Sequence, residues 1–585
     1  MKMKIPKNIG GSGTKAPRPT AFRLRLLTLF VLMAAAALSL VVRAVELQLV
    51  NHDFLTNQGN QRSTRVVAIA AHRGMITDRS GEPLAVSTPV DSVWVNPKDV
   101  LASAEQVPVL ARMLSEDRGE LMRHLSTEVD RDSYRIARGV EPTAAFKIKE
   151  LGIEGLSLTR EYRRYYPASE VTGHLLGFTD ADDTGQEGVE LAYDHWLGGE
   201  DGAKRVIQDK DGRKVEDIES IRAVRPGRNL ALSIDLRIQY LAYRELKAAV
   251  RDNHAQSGSA VVMDVQTGEV LAMVNQPAFN PNDRSQLDAA VYRNRAATDL
   301  FEPGSSIKPF VVAAGLASGR YNVSSLINTN PGSITVGVKT FYDEHNLGLV
   351  PLSTVLAKSS NVGMAMLALS LEPRQIWSTL NSLGFGLVSS SGFPGESAGQ
   401  LSNYSHWRDI GIAKLSHGYG LQVTPLQLAQ AYATIGALGV RHPVSLQRVD
   451  GPVPGQRVLD ESVCRTLLHL LESVVTEDGT GVQAQIPGYH VAGKTGTAYI
   501  AIPGGYSTNR YFSIFGGVVP VSNPRLAAVI VIVDPSAGQH MGGDVAAPVF
   551  SAILGGALRL LAVPPDDVLA RPNDALLTTP KMARR

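Results

Sequence analysis

The most hydrophobic stretch of the chain runs from Leu26 to Val42 and contains only two polar residues, Thr28 and Ser39. Its 17 residues reach the lower end of the length that spans the hydrocarbon core of a bilayer. Seven lysines and arginines and no acidic residue precede it. No convincing small-x-small cleavage site follows it, which favours a retained anchor over a cleaved signal peptide. The positive-inside rule then predicts that residues 1–25 are cytoplasmic and that the rest of the chain is exported.

Beyond residue 228 the apolar positions follow the periods of strands and helices. The runs Ser259–Val265 and Glu269–Val274 flank Gln266-Thr267-Gly268 and predict a β-hairpin. Thr424, Pro425 and Gln427 predict a helix start with a capping box. The order of elements predicts a multi-domain α/β protein with an antiparallel sheet between helical layers. The remaining predictions are strands at Asn229–Ile234, Tyr511–Val519 and Leu526–Val533, a helix capped by Asp235, and a last helix over Ala546–Ala562.

Residues 46–226 carry shorter and more mixed patterns. Gly74 to Ala85 predicts a hairpin that turns at Asp78-Arg79-Ser80-Gly81, and residues 101–155 predict short amphipathic helices. A break falls at Arg225-Pro226-Gly227-Arg228. The chain is therefore predicted to divide into a cytoplasmic basic tail (1–25), one transmembrane anchor (26–45), a mostly β pedestal domain (46–226), a larger domain (227–565) and a flexible C-terminal tail (566–585).

Composition narrows the function classes. The 585 residues exceed what a single core supports, and the net charge of +2 gives no bulk attraction for nucleic acid. The single cysteine, Cys464, excludes an intrachain disulfide, and no Cys/His spacing is typical of a zinc site. Cys464 falls in a pattern of helical period, which predicts a partly buried helix residue and not a nucleophile.

Ser305 and Lys308 form a Ser-x-x-Lys pair at a predicted helix start. Residues three apart lie on one helix face, so the amine can reach the hydroxyl. A serine needs a neighbouring base to act as a nucleophile, and a desolvated lysine near other cations can lose its proton near neutral pH. The pair alone is a weak signal, because Ser-x-x-Lys occurs by chance in most long chains.

Two further motifs follow in order. Ser359-Ser360-Asn361, 54 residues after Ser305, offers a hydroxyl for proton relay and an amide to hold a substrate backbone. In Lys494-Thr495-Gly496-Thr497, strand alternation places the two threonine hydroxyls on one face, where they can hold a carboxylate. Lys494 adds positive charge from around the strand edge, and Gly496 lets another chain approach closely. The backbone N–H groups of Ser305 and Thr497 are predicted to form an oxyanion hole.

Together the three motifs match the signature of penicillin-binding proteins and serine β-lactamases. The chain resembles the class B penicillin-binding proteins, specifically the FtsI-type division transpeptidases. The resemblance covers the anchor to about residue 562. It rests on segments that are more specific than the three motifs: Arg73-Gly74-Met75-Ile76-Thr77-Asp78-Arg79-Ser80-Gly81, Arg164-Tyr165-Tyr166-Pro167, Gly188-Val189-Glu190, Gly258-Ser259-Ala260-Val261-Val262, Lys358-Ser359-Ser360-Asn361-Val362-Gly363 and Gly418-Tyr419-Gly420-Leu421-Gln422-Val423-Thr424-Pro425.

The resemblance implies a peptidoglycan D,D-transpeptidase. Ser305 would be acylated by the penultimate D-Ala of a donor stem peptide, and Lys308 would activate it. Ser359 and Lys494 would share protons with the leaving group while Asn361 orients the substrate. A diaminopimelate amine would then resolve the acyl-enzyme, and β-lactams would acylate Ser305 and remain. The implied substrate-binding residues are Ser306, Thr495, Gly496 and Thr497. The resemblance also implies that no metal or organic cofactor is needed.

The resemblance also implies a location and partners. The protein would be a single-pass protein of the bacterial inner membrane, with its transpeptidase domain in the periplasm. It would act at the septum with a glycosyltransferase of the FtsW type and other divisome proteins. The segment Tyr499 to Tyr506 departs from the basic run expected after the Lys-Thr-Gly strand. It borders the acceptor side, so acceptor preference and β-lactam spectrum are not fixed by the resemblance.

Other readings remain at this point. A secreted β-lactamase shares the motifs but lacks a pedestal, and a bifunctional class A protein needs a glycosyltransferase domain, for which residues 46–226 are too few. An elongation-type class B enzyme has the same chemistry in another complex. A non-catalytic divisome scaffold or β-lactam sensor would keep the pocket without turnover. Arg73, Asp78 and Arg164 either tie the pedestal to itself or contact a partner.

Overall fold

The computed structural model describes residues 19–52, 54, 64–208, 214–283, 285 and 289–566. The predicted cytoplasmic tail up to residue 18 and the predicted flexible tail from residue 567 lie outside these described residues. The first helix, α1 (Pro19–Val45), continues into a π-helical turn, Glu46–Val50. The segment Arg23–Val50 is apolar, unburied and long enough to cross a membrane. A second segment of sufficient length, Gly542–Leu560, is mostly buried inside the protein and forms part of its core.

The pedestal is built from two small sheets and short helices. Strand β3 is the spine of the larger sheet and pairs antiparallel with β2, β4 and β5, while β1, β6 and β7 form a separate antiparallel sheet. The strands are β1 (Thr64–Ile69), β2 (Ile76–Thr77), β3 (Pro83–Val95), β4 (Tyr134–Val140), β5 (Leu156–Tyr165), β6 (Gly202–Gln208) and β7 (Lys214–Arg222). The helices are α2 (Pro97–Ala102), α3 (Val107–Leu114), α4 (Arg118–Thr127), α5 (Pro142–Glu150), α6 (Gly173–Leu176), α7 (Gly188–Ala192) and α8 (Asp194–Leu197).

The predicted hairpin at Gly74 to Ala85 is confirmed by the pairing of β2 with β3. The prediction of helices throughout residues 101–155 is wrong at β4, which lies between α4 and α5. Strand β4 pairs with β3 from Asp91↔Val140 to Val95↔Tyr134. This pairing partner lies about 40 residues upstream, so tertiary context decides the conformation and local periodicity does not.

One buried carboxylate organises the pedestal. Glu190 accepts hydrogen bonds from Arg73 Nε at 2.8 Å and from Arg164 Nε at 2.6 Å, and all three side chains are almost fully buried. Arg73 also pairs with Asp194 at 2.7 Å, and Arg164 donates to the Gly74 carbonyl oxygen at 2.8 Å. Arg73 and Arg164 therefore tie the pedestal to itself, the first of the two readings left open above.

Asp78 instead joins the pedestal to the larger domain. Its carboxylate accepts from the backbone N–H groups of Ser80 and Glu82 within the turn, at 2.7 and 2.9 Å. It also accepts from the Leu236 N–H at 3.1 Å, at the start of the first helix of the larger domain. The same carboxylate thus shapes the pedestal turn and satisfies a free N–H group of that helix.

The larger domain centres on a five-stranded antiparallel sheet with the order β10-β9-β19-β18-β17. Helices α9 (Leu236–Asp252) and α20 (Ala547–Leu560) pack on one face, and α17 (Pro425–Gly436) packs on the other. The strands are β8 (Leu230–Ala231), β9 (Ser257–Asp264), β10 (Val270–Gln276), β11 (Leu326–Asn328), β12 (Ser333–Val336), β13 (Lys339–Tyr342), β14 (Leu349–Pro351), β15 (Val440–Arg441), β16 (Gln456–Arg457), β17 (Ala492–Ile502), β18 (Gly505–Val519) and β19 (Leu526–Val533). The predicted α/β fold with an antiparallel sheet between helical layers is confirmed.

Helix starts that were predicted from capping residues are present in the structure of this domain. Asp235 caps α9, and Thr424 with Gln427 forms the capping box of α17. The helices are α9 (Leu236–Asp252), α10 (Ala289–Tyr292), α11 (Arg295–Thr298), α12 (Lys308–Ala317), α13 (Leu352–Ala357), α14 (Asn361–Ser370), α15 (Pro373–Ser382), α16 (Asp409–Leu415), α17 (Pro425–Gly436), α18 (Glu461–Glu472), α19 (Gly542–Val545) and α20 (Ala547–Leu560).

Two local predictions need correction. The strand predicted over Asn229–Ile234 is reduced to β8, because its partner β2 is itself only two residues long. Cys464 on α18 is fully buried and not partly buried, and burial raises the pKa of its thiol to about 12. The thiol is therefore kept protonated and away from solvent, consistent with a packing role.

Replacing Glu190 by Gln tests the pedestal network. The substitution removes the carboxylate that Arg73 and Arg164 share and leaves Arg73 with Asp194, and breaking a buried ion pair in this way costs about 3–5 kcal/mol. We expect a large fall in the free energy of unfolding of the pedestal. It is measured by urea denaturation of the full chain in detergent, with tryptophan fluorescence as the readout. Glu219→Gln, which breaks the exposed pair with Arg205, should cost less than about 1 kcal/mol. Equal effects of the two substitutions would contradict this account.

Candidate active site

Ser305 lies in a 3₁₀ turn, Gly304–Ile307, that leads directly into α12. We call Gly304–Ile307 the serine turn. Glycine is needed on both sides of it. Gly304 has a φ of +52°, and a Cβ there would lie 3.1 Å from the Thr497 carbonyl oxygen. Gly418 has a φ of +90°, and its Cβ would lie 2.0 Å from the Gly304 carbonyl oxygen. The serine turn is thereby held between β17 and the Gly418 turn.

The Lys308 amine is fully buried and links the first motif to the second. Its Nζ donates to the Ser359 carbonyl oxygen at 2.5 Å, to Ser359 Oγ at 3.1 Å and to Asn361 Oδ1 at 2.9 Å. Ser359 has a φ of +55°, an uncommon conformation for a residue other than glycine. This conformation lets both its carbonyl and its hydroxyl oxygen reach the same amine.

Asp343 holds the second motif in place. Its carboxylate accepts from Ser360 Oγ at 2.6 Å and from the N–H groups of Asn361 and Val362 at 2.5 and 2.9 Å. These N–H groups begin α14, so the carboxylate satisfies free donors at the end of a helix where a negative charge is favourable. Ser360 Oγ in turn accepts from the Gly363 N–H at 2.8 Å. Asp343 is thus a fixed support for Ser359 and Asn361.

The third motif lies on β17, the edge strand of the central sheet. Thr495 Oγ1 is 2.7 Å from Thr480 Oγ1, and Thr497 Oγ1 accepts from the Gly542 N–H at 3.0 Å. Lys494 is fully buried, and its Nζ donates to the carbonyl and hydroxyl oxygens of Thr495 at 3.2 and 3.1 Å. Lys494 therefore lies beneath the strand and reaches back to the threonine beside it.

The three motifs meet around one cavity of about 560 Å³. Five of the predicted site residues line it: Ser305, Ser359, Asn361, Thr495 and Thr497. Lys308 and Lys494 lie behind this lining. Gly496 is the point where the serine turn crosses β17, since a Cβ there would lie 2.9 Å from the Pro303 carbonyl oxygen.

Ser306 is turned away from the cavity. It is fully buried, and its hydroxyl donates to the Pro303 carbonyl oxygen at 2.6 Å. This hydroxyl closes the serine turn internally. We therefore do not include Ser306 among the substrate contacts proposed below.

The two buried amines have perturbed acidities. Burial lowers the pKa of Lys308 to about 7, an effect that the nearby Asp343 carboxylate partly opposes. Burial also lowers the pKa of Lys494 well below its ordinary value, and the neighbouring Lys308 lowers it further. A neutral amine next to a cavity-lining serine can take a proton near neutral pH. Within the described ranges, no group of three or more His, Cys, Asp or Glu side chains is placed to hold a metal ion.

The fold and this site define a penicillin-binding transpeptidase with a pedestal. Residues 258–555 match the penicillin binding protein transpeptidase domain, and residues 68–232 match the penicillin-binding protein dimerisation domain. The chain belongs to the class B penicillin-binding proteins, so the family predicted from the motifs is confirmed. The pedestal match separates it from a secreted β-lactamase and from a bifunctional class A protein.

Individual relatives agree with this assignment over nearly the whole chain. The chain is 45% identical over 551 residues to the peptidoglycan D,D-transpeptidase FtsI of Escherichia coli K12, covering 93% of each sequence. It is 41% identical to a probable peptidoglycan D,D-transpeptidase, PbpC, of Pseudomonas aeruginosa, covering 94% of this chain and 96% of the relative. Among solved structures, penicillin-binding protein 3 of Mycobacterium tuberculosis complexed with aztreonam has a TM-score of 0.67 at 27% identity, covering 85% of this chain and 98% of the other.

Several residues at the cavity were not found from the sequence. Asp343, Thr480 and the Met541-Gly542 segment all contact predicted site residues. Asp343 lies 17 residues before Ser360 on a different element, so it carries no local capping signal. The signal that was available for Gly542 is the glycine pair that follows a predicted strand, which permits a close backbone approach.

Removing the Asp343 carboxylate should destabilise the start of α14. We expect Asp343→Ala to lower the free energy of unfolding by about 0.5–2 kcal/mol, the range for losing a helix N-cap. Thermal denaturation of the full chain in detergent measures it. Glu344→Ala, at the exposed neighbouring position, should stay within about 0.5 kcal/mol of the unchanged protein. A neutral effect of Asp343→Ala would remove this residue from its supporting role.

Proposed function

We propose that this protein cross-links peptidoglycan as a D,D-transpeptidase through an acyl-enzyme on Ser305, and that β-lactams acylate the same hydroxyl. One observation carries the proposal: Ser305 shares a cavity with Ser359, Asn361, Thr495 and Thr497, backed by the buried amine of Lys308. The relatives named above as D,D-transpeptidases cover more than nine-tenths of the chain.

Acylation begins with proton removal from Ser305. A neutral Lys308 amine has two N–H donors, enough to keep two of its three acceptors, and one lone pair to accept the Ser305 proton. Ser305 Oγ then bonds to the carbonyl carbon of the penultimate D-Ala. The negative charge that develops on the carbonyl oxygen is held by the N–H groups of Ser305 and Thr497. The peptide C–N bond breaks, and the leaving D-Ala nitrogen receives a proton relayed through Ser359 and Lys494.

Thr495 and Thr497 are assigned to the carboxylate at the end of the donor peptide. Their hydroxyl groups lie on the cavity side of β17, with the Lys494 amine beneath Thr495. Thr480 shares a hydrogen bond with Thr495 and so fixes the direction of its hydroxyl. In the second half of the reaction an acceptor amine attacks the acyl carbon, the ester bond to Ser305 Oγ breaks, and the proton lost by the amine returns to Ser305. Asn361, held by Lys308 and by Asp343, orients the peptide backbone.

The cellular setting is part of the proposal. The apolar helix α1, preceded by a basic segment, supports a single-pass protein of the inner membrane with its N-terminus in the cytoplasm and its transpeptidase domain in the periplasm. The likeness to FtsI supports action at the division septum with an FtsW-type glycosyltransferase and other divisome proteins. The diaminopimelate amine of a neighbouring stem peptide is the proposed acceptor.

Penicillin labelling tests the nucleophile. Intact-mass spectrometry of the full chain after benzylpenicillin treatment should show one adduct, and peptide mapping should place it on Ser305. Ser305→Ala should remove the adduct without unfolding the protein. Ser318→Ala, near the far end of the same helical segment, should be labelled normally. An adduct that persists in Ser305→Ala would refute the acyl-enzyme, and full rescue of division by that variant would favour a non-catalytic scaffold.

The acidity of Lys308 predicts the pH dependence of acylation. The neutral amine is the base, and its fraction rises with pH through the pKa of about 7. The second-order rate constant for benzylpenicillin should therefore rise to a plateau with an inflection near pH 7, and should fall about tenfold for each pH unit below it. Because Asp343 raises this pKa, Asp343→Asn should move the inflection to lower pH. A flat profile between pH 5.5 and 8.5 would exclude Lys308 as the base.

A further inference from the structure

Glu302 lies three residues before Ser305 and joins three parts of the domain. The backbone of the preceding residue, Phe301, pairs with Val423 at 3.0 Å. Glu302 Oε1 accepts from the Gly420 N–H at 2.8 Å and from the Tyr506 hydroxyl at 3.1 Å. The carboxylate therefore joins three segments. These are the chain that leads into Ser305, the Gly418–Val423 segment and the end of the β17–β18 hairpin that carries Tyr506.

The Glu302 carboxylate can accept further hydrogen bonds. Its Oε2 is shielded from solvent and accepts no hydrogen bond from any residue that the structure describes. The two donors to Oε1 are neutral, a backbone N–H and a phenol, so neither compensates a negative charge. Buried carboxylate oxygens normally have hydrogen-bond partners, and the strongest are cationic donors. The free oxygen, on a residue three positions before Ser305 in the chain, therefore suggests a cationic group supplied by a substrate.

Two tyrosine rings flank the carboxylate. Tyr419 and Tyr506 meet edge to face with ring centroids 5.4 Å apart, and Tyr506 is 45% exposed. The Tyr419 hydroxyl also accepts a long hydrogen bond from the Tyr499 N–H at 3.4 Å. Burial raises the pKa of Tyr506, and Glu302 raises it further, as expected beside a negative charge. Faces of tyrosine rings attract ammonium groups, so rings and carboxylate favour the same class of ligand.

We propose that Glu302, Tyr419 and Tyr506 form a binding site for the ammonium group of a stem-peptide diaminopimelate side chain. The inference rests on the proposed transpeptidase function, in which both donor and acceptor stem peptides carry this residue. The ammonium group donates to Glu302 Oε2 and packs against the rings. Entry requires the half-exposed Tyr506 to turn aside, which gives up its single hydrogen bond to Glu302. The segment that departs from the expected basic run is thus assigned a part in substrate recognition.

The donor side is tested with two pentapeptides that end in D-Ala-D-Ala. They differ only at the third residue, which is diaminopimelate in one and 2-aminopimelate, without the distal amine, in the other. The rate of acylation of the full-length chain in detergent is measured as the rate at which D-Ala is released. If the donor ammonium binds at Glu302, the diaminopimelate peptide should react about tenfold faster, the worth of one charge-assisted hydrogen bond. Glu302→Gln should abolish this preference, and Glu302→Asp should retain part of it.

The acceptor side is tested on an acyl-enzyme formed from a benzoyl-D-alanyl thioester, which carries no stem peptide. The acyl group partitions between water and the amine of a diaminopimelate tripeptide. If the acceptor ammonium is first captured by Glu302, Glu302→Gln should lower the share of aminolysis about tenfold. Glu477→Gln is the matched control, because this exposed acid precedes cavity-lining Asp478 in the chain and does not line the cavity itself.

The outcomes separate the two proposals. A change at either step that is absent in Glu477→Gln supports the ammonium site and identifies the stem peptide that uses it. Unchanged donor preference together with unchanged partitioning in Glu302→Gln overturns it. Benzylpenicillin carries no ammonium group, so its covalent labelling of Ser305 in Glu302→Gln shows that this variant is folded. A failure of penicillin to label the unchanged protein on Ser305 would instead refute the proposed function.

Discussion

The contact between the Lys308 amine and the Ser359–Asn361 segment is the constraint on which the rest of the site depends. An amine buried from water loses most of its hydration, and three acceptors from Ser359 and Asn361 replace it. Those acceptors coincide only because Ser359 adopts a positive φ and because Asp343 fixes the start of α14. A local strain is thus maintained by hydrogen bonds from outside the motif, as is common at functional sites. This arrangement links two walls of the cavity, since the serine turn that carries Ser305 leads into α12 and its Lys308, while Asn361 begins α14.

The central sheet supplies the opposite wall. Strand β17 is an edge strand, and the serine turn packs against it. An edge strand left exposed can pair with another chain, and proteins commonly prevent this with charged side chains or by covering the edge. Gly304, Gly418 and Gly496 make this close approach possible, because a side chain at any of them would meet a backbone carbonyl within about 3 Å. Thr495 and Thr497 of this edge strand therefore line the cavity together with Ser305. The far end of the same hairpin reaches Glu302, so one pair of strands contacts both ends of the segment that carries Ser305.

The sequence allowed prediction of features that are encoded within a few residues. The capping box at Thr424 and Gln427, the cap at Asp235 and the hairpin between β9 and β10 follow from local hydrogen bonds and alternation, and the structure contains each of them. The meeting of Ser305, Ser359 and Thr495 in one cavity was predicted only because the three motifs together match a known family. The sequence did not allow prediction of three features: the supporting role of Asp343, the strand β4 and the inward direction of the Ser306 side chain. Each depends on a partner far along the chain or on the packing of a turn, for which composition and period carry no signal.

Two buried charge clusters in the same chain have opposite designs. In the pedestal, Glu190 is shared by two arginines and Arg73 has a further carboxylate, so nearly every charge is compensated and the cluster ties distant segments together. In the larger domain, burial lowers the pKa of both Lys308 and Lys494, Lys308 lowers that of Lys494 further, and a single carboxylate, Asp343, opposes the shift of Lys308. Full compensation there would raise both pKa values. The incomplete compensation instead leaves both pKa values below that of a free lysine amine, close to the cavity that Ser305 lines, and natural proteins tolerate such local conflicts at functional sites.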